Sequence, residues 1–241
     1  MSEDIQEDLE CERCGRGATL CVCDHITPIK ARTRILVLQH PQEPGVDIGT
    51  AAIIGQLFPE AIIKTGLSWA NLKRALGSEL GAEIEPSRWG VLYLGSVRTE
   101  ELPKDRTLFV VDRKGVALVE QEEALKGIKG IVLLDGTWSQ AKTLWWRNAW
   151  LLKLKRLVLR RDKRSLYDQI RREPRRGCLS SLETLGEVLS VLESRGDIIS
   201  GVETPLKELV SRCRVRNRNS VRRRGLGRGG LGRRGRYGRG G

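Results

Sequence analysis

Six short runs rich in Val, Ile and Leu recur along the chain, at residues 35–38, 61–63, 91–94, 108–111, 131–134 and 157–159. Several are continuous rather than alternating, the pattern of strands buried on both faces. Helix-compatible stretches lie between them at 49–57, 69–76, 116–125 and 139–147. A longer one at 180–195 sets Leu182, Leu185, Val188, Leu189 and Leu192 at helical spacing. Strands alternating with helices predict an α/β domain around a mostly parallel sheet. A chain of 241 residues holds one such domain with appendages, or at most two small ones.

The charge is unevenly distributed. The formal net charge is +13, yet twelve of the 43 Lys and Arg lie between Arg212 and Gly241, where no acidic residue occurs. The remaining 31 face 30 Asp and Glu in residues 1–211, so the folded part is nearly neutral. With nine Gly and few large apolar groups, residues 212–241 are expected to be disordered and to act as a tether for a polyanion. The expected organisation is an acidic segment 1–10, a metal-binding module 11–33, a catalytic domain 34–211 and the Arg/Gly tail 212–241. No apolar run reaches the roughly eighteen residues of a membrane span, and the acidic N-terminus does not read as a secretory signal. The cysteines are clustered rather than dispersed as a disulfide framework, which predicts a reducing, cytoplasmic setting.

Four thiols fall within thirteen residues as Cys11-x2-Cys14-x6-Cys21-x-Cys23. The spacing lets all four sulfurs converge on one ion, and tetrahedral Zn²⁺ is the natural fit. Four sulfur ligands leave no position for water, so such a zinc is structural. Free or redox-active cysteines are the alternative. Only two His are present, with neither a Ser/His/Asp arrangement nor a His-x-x-x-His spacing, so a triad hydrolase and a catalytic zinc are both disfavoured.

Residues 130–148, GIVLLDGTWSQAKTLWWRN, read as a buried strand, a polar turn at Asp135-Gly136-Thr137 and a helix from about Trp138. Ligands of open α/β sheets bind at the carboxyl ends of strands, where Asp135 falls. A carboxylate there serves as base or orienter, or simply caps the helix. Trp138, Trp145, Trp146 and Trp150 follow it, and six Trp against two Phe is an aromatic choice suited to stacking on bases, although some of these rings belong to the core. Ser180, Ser181 and Glu183 open the long helix as a capping box, and the same helix N-terminus suits a carboxylate ligand. Residues 153–176 hold eleven Lys and Arg against three acidic residues, a local patch fit for phosphate contacts. His40 and Glu43, after the first strand, are weaker candidates for substrate contact.

The chain resembles the DTW-domain family, whose signature Asp-x-Thr-Trp is matched by Asp135, Thr137 and Trp138. Further blocks agree in order: the cysteine cluster, Leu38-Gln39-His40-Pro41-Gln42-Glu43, Leu94-Gly95-Ser96, and Cys178-Leu179-Ser180-Ser181-Leu182-Glu183. Gln42, where members often carry a basic residue, and Ser181, where Thr is frequent, depart from the pattern. The resemblance implies a SPOUT-like α/β fold, with or without a C-terminal knot. It implies a tRNA-uridine aminocarboxypropyltransferase that moves the 3-amino-3-carboxypropyl group of S-adenosylmethionine to N3 of a uridine. By the same resemblance Asp135, Thr137 and Trp138 are the catalytic candidates. Leu94, Gly95, Ser180, Ser181 and Glu183 are the candidates for holding S-adenosylmethionine, tRNA is the partner, and no membrane or obligate protein partner is expected. A SPOUT-type RNA methyltransferase and a non-enzymatic zinc-containing RNA-binding protein are the rival readings.

Overall fold

The computed structural model describes residues 10–77, 84–93, 95, 97–160, 165–166 and 179–226, the last eight of these by backbone only. All six expected strands form: β1 (Arg34–Gln39), β2 (Ile62–Thr65), β3 (Trp89–Leu92), β4 (Leu108–Val111), β5 (Gly130–Asp135) and β6 (Lys155–Leu159). They make one sheet in the order β2-β1-β5-β3-β6-β4, parallel throughout except for β4, which runs antiparallel to β6 at the edge. Every residue of β5 is buried, as continuous aliphatic strands at the centre of a sheet require.

Strand alternation divides the core. Ile35, Val37, Ile131, Leu133 and Leu157 meet α1 (Ala51–Leu57), α5 (Ser181–Glu193) and α6 (Asp197–Leu226) on one face. Leu36, Leu38, Val91, Val132 and Leu134 meet α2 (Leu72–Leu76) and α4 (Trp138–Arg147) on the other. A small third cluster under β4 contains Phe109, Val111 and Val158.

Three expectations require correction. The stretch 116–125 is helical only as α3 (Gln121–Lys126). Before it, Asp112 Oδ1 accepts the N–H of Lys114 and of Val116, both at 2.8 Å, and Gly115 takes a positive φ of 88°. That side chain–backbone turn competes with a helix and wins. The 30-residue α6 was not expected, although Ile198, Val202, Leu206, Leu209 and Cys213 bury one helical stripe against the core. Disorder was expected from Arg212, yet α6 continues through that position to Leu226. Arg212 pairs with Glu208 at 2.6 Å and Arg216 with Asp47 at 2.5 Å, and extending an anchored helix adds a backbone bond per residue without a new nucleus. Residues 227–241 of the expected tail lie outside the described residues. No helix among the described residues is long and apolar enough to cross a membrane.

Candidate active site and metal centre

The parallel register brings Gln39, the last residue of β1, opposite Asp135, the last of β5. Asp135 is only 4% exposed. Gln39 Nε2 donates to Asp135 Oδ2 at 3.1 Å, and Gln39 Oε1 accepts from Thr65 Oγ1 at 3.1 Å. This relay across β2, β1 and β5 fixes the amide orientation and holds the carboxylate in one place at the sheet edge. The next residue of the β1 loop joins it, because the His40 backbone N–H donates to the Asp135 carbonyl at 3.0 Å.

Gly136 then turns the chain at φ 152°, where a Cβ would lie 2.9 Å from that of Gln140. Thr137 caps α4: its Oγ1 accepts from Gln140 N at 3.3 Å, and its own N–H donates to Gln140 Oε1 at 2.6 Å. Its hydroxyl therefore aims the helix. Gln140 Nε2 in turn donates to Gln42 Oε1 at 3.2 Å, tying α4 to the β1 loop.

Trp138, the first residue of α4, faces Tyr93 with centroids 6.5 Å apart and planes 14° from parallel. Tyr93 stacks on Trp145 at 4.2 Å. Arg156 of β6 lies 5.7 Å from the Tyr93 ring centroid, and its Nε donates to the Tyr93 carbonyl at 3.0 Å. Gly95, at φ 58°, leaves room for this arrangement, since a Cβ there would press on the Arg156 guanidinium and on the Tyr93 ring. Burial pushes the Tyr93 phenol pKa up, with Arg156 opposing it, and burial lowers that of Arg156. Tyr93 was not among the sequence candidates, and Arg156 was expected only as one cation of the 153–176 patch. The available signals were the position of Tyr93 just before Leu94-Gly95 and a cation interrupting an aliphatic strand. By strand alternation Asp135 belongs to the α1/α5 face of the edge, whereas Tyr93 continues the Val91 row toward α4.

The expected capping box at α5 is present, with Ser180 Oγ accepting from Glu183 N at 3.2 Å and Ser180 N donating to Glu183 Oε2 at 3.1 Å. Glu183 does more than cap. Ser165 Oγ donates to its Oε2 at 2.5 Å and Leu166 N to its Oε1 at 2.8 Å, so this buried carboxylate pins the 165–166 segment to the helix. Ser181 is the first, half-buried residue of α5. Leu94, Ser96, Cys178 and most of the basic stretch 153–176 beyond β6 lie outside the described residues.

The four cysteines converge as their spacing demands, with ligand atoms all within 4.8 Å of one another. Gly15, at φ 67°, closes the first turn, where its N–H donates to the Cys11 carbonyl at 2.7 Å. The two pairs Cys11–Cys23 and Cys14–Cys21 each have sulfurs 3.8 Å apart. Hydrogen bonding from Cys21 lowers the Cys11 thiol to about 7, while burial raises Cys23 to about 12. Such a set of soft donors fits a metal cation, which would hold all four as thiolates. Leu20, Val22 and Ile26, which flank the cysteines, enter the main core beside α6. Arg16 Nε donates to the Asp47 carbonyl at 2.7 Å, and Arg212 donates to the Cys21 carbonyl. The cysteine cluster thus shares its foundation with α6 and the β1 loop.

The family model described as DTW domain matches residues 8–214. A mouse protein named tRNA-uridine aminocarboxypropyltransferase 2 is 28% identical over 208 residues, covering 84% of this chain and 62% of that protein. A Drosophila melanogaster protein of the same name is 31% identical over 210 residues, covering 83% and 73%. The Arabidopsis thaliana protein named tRNA-uridine aminocarboxypropyltransferase A is 23% identical over 224 residues, covering 83% and 79%. The chain therefore spans 62% of the length of its mouse relative, less than two thirds. No solved structure matches it. A family match that runs from the cysteine cluster through the Asp135-Gly136-Thr137-Trp138 turn and into α6 settles the classification: the chain belongs to the DTW domain family.

Proposed function

We propose that this chain is a tRNA-uridine aminocarboxypropyltransferase, with S-adenosylmethionine as co-substrate and N3 of a tRNA uridine as acceptor. The observation that carries the reading is Asp135, buried at the carboxyl edge of the parallel sheet and oriented by Gln39 within the family signature. In the reaction a bond forms between uridine N3 and the γ-methylene carbon of the sulfonium. The carbon–sulfur bond breaks with its electron pair going to sulfur, and neutral methylthioadenosine leaves. Because the leaving group is already activated, the protein has two tasks: alignment of the two reactants and acceptance of the N3 proton. Asp135 takes the proton. Gln39 and Thr65 keep its carboxylate from turning away. Trp138 and Tyr93, toward the α4 side of the same edge, offer flat faces for a base, and the absence of a Cβ at Gly95 lets Arg156 pack over the Tyr93 ring. Ser180 and Ser181 present the N-terminus of α5 to the amino-acid carboxylate, as a SPOUT-like cofactor loop would, and Glu183 fixes the segment beside it. Zinc in the four-cysteine site is structural, since no coordination position remains for water.

The test uses two preparations of S-adenosylmethionine with bulk tRNA, one labelled in the methyl group and one in the carboxyl group. Carboxyl label in a modified uridine, with no methyl label, is the expected result. Methyl label in RNA would make the chain a methyltransferase, and label in neither would leave an RNA-binding protein.

A further inference from the structure

We infer that the C-terminal half of α6 is an RNA-gripping arm, in which the row begun by Arg214 and Arg218 binds phosphates of a substrate seated at the Asp135 edge. The inference rests on the proposed function for the identity of the substrate, though not for the location or the charge of the arm.

Direction comes first. The C-terminus of α5 lies at the start of β1, because Glu193 Oε1 accepts the N–H of Arg32 at 2.8 Å and of Thr33 at 2.9 Å. α6 begins there, with Gly201 packed on Ile29. It then runs up the sheet to the opposite, carboxyl edge, where Arg212 reaches the Cys21 carbonyl and Arg216 pairs with Asp47. Asp47 belongs to the loop that begins at His40, whose N–H is bonded to the Asp135 carbonyl. The helix therefore leaves the body on the side of the candidate active site.

Cys213 is its last buried residue among those with described side chains, and residues 214–218 are all exposed. The thirteen residues after Cys213, through Leu226, extend about 20 Å at helical rise.

The arginines divide into two rows. Arg212 and Arg216, four apart, face the body and are occupied by Glu208, the Cys21 carbonyl and Asp47. Arg214 and Arg218, also four apart, are exposed and have no acidic partner among the described residues. Position 222 continues this second row at the same helical interval, about 6 Å per step. Like charges at this spacing repel along a helix, and a row of phosphates removes the repulsion. Charge complementarity thus selects a polyanion. An arginine row on a regular helix, with no base-reading geometry of its own, suits the RNA backbone. The family match ends at residue 214, so most of the arm lies beyond the matched segment.

The experiment compares the full chain with R214Q/R218Q/R222Q and with a charge-matched control, K30Q/K126Q/K129Q, whose lysines lie toward the opposite edge of the sheet. Kd for a tRNA transcript is measured across a salt series, and single-turnover transfer is measured at saturating enzyme. The arm variant is expected to bind roughly tenfold or more weakly near 0.15 M salt, with log Kd against log salt shallower by about 2–3, near 0.9 per lost phosphate contact. The control should keep the original slope, and both variants should keep the single-turnover rate. An unchanged slope in the arm variant would overturn the inference and leave an acidic protein as the alternative occupant. Equal loss in the control would overturn it too, since the effect would then be net charge alone. Absence of transfer by the unmodified chain would defeat the proposed function while leaving the binding comparison readable.

Discussion

The sheet edge around Asp135 and the cysteine cluster are built in opposite ways. Asp135 ends a central strand whose neighbours hold it by register, and its orientation comes from amide and hydroxyl groups of two adjacent strands. The cysteines sit on tight turns and 3-10 segments with almost no ladder of their own. One site is preorganised by the fold, whereas the other is a set of four thiols that a cation would hold as thiolates. Removing a ligand should therefore barely disturb the first and should weaken the second along with everything resting on it, including α6.

Stripping the metal, or making Cys14→Ser, is expected to have the largest effect on stability. Calorimetry should show melting lowered by on the order of 10 °C, corresponding to a loss of several kcal/mol. A metal stoichiometry near zero in protein purified under reducing conditions would end this side of the comparison.

Asp135→Asn probes the other side. It keeps the shape and an acceptor for Gln39 but loses the base, so kcat should fall by about 10²–10⁴ while melting stays close to that of the unmodified chain. Near-normal turnover would reduce Asp135 to a structural residue.

Glu183→Gln is expected to cost about 1–3 kcal/mol, because Ser165, Leu166 and Ser180 all donate to this buried carboxylate and an amide cannot accept from all of them. A melting temperature matching that of the unmodified chain would show that the 165–166 segment is held by other contacts.

The smallest effect is expected for Gln39→Leu. Asp135 would remain but lose its orienting amide, giving roughly a tenfold lower kcat with KM little changed. An equal rise in KM would assign Gln39 to substrate binding instead.

The strands were legible because aliphatic runs buried on both faces leave a plain mark, and the cysteine cluster because its spacing already encodes convergence. Asp135 was legible as the polar end of such a run. The partners were not. Gln39 meets Asp135, and Arg156 meets Tyr93, only through the strand order β1-β5-β3-β6, which no local pattern contains. α6 carried its apolar stripe openly from Ile198 to Cys213. It went unread because the arginine-rich composition after Arg212 suggested disorder, and composition does not register that Glu208, Asp47 and the Cys21 carbonyl anchor the arginines on one side of the helix.

The central claim is that the Asp135 edge serves aminocarboxypropyl transfer, and the nucleoside left over from the co-substrate reports on it most directly. After a single incubation of the full chain with tRNA and S-adenosylmethionine, chromatography should find methylthioadenosine accumulating in step with modified uridine, and neither should form with Asp135→Asn. S-adenosylhomocysteine in its place, or methylthioadenosine forming equally without tRNA, would contradict the account.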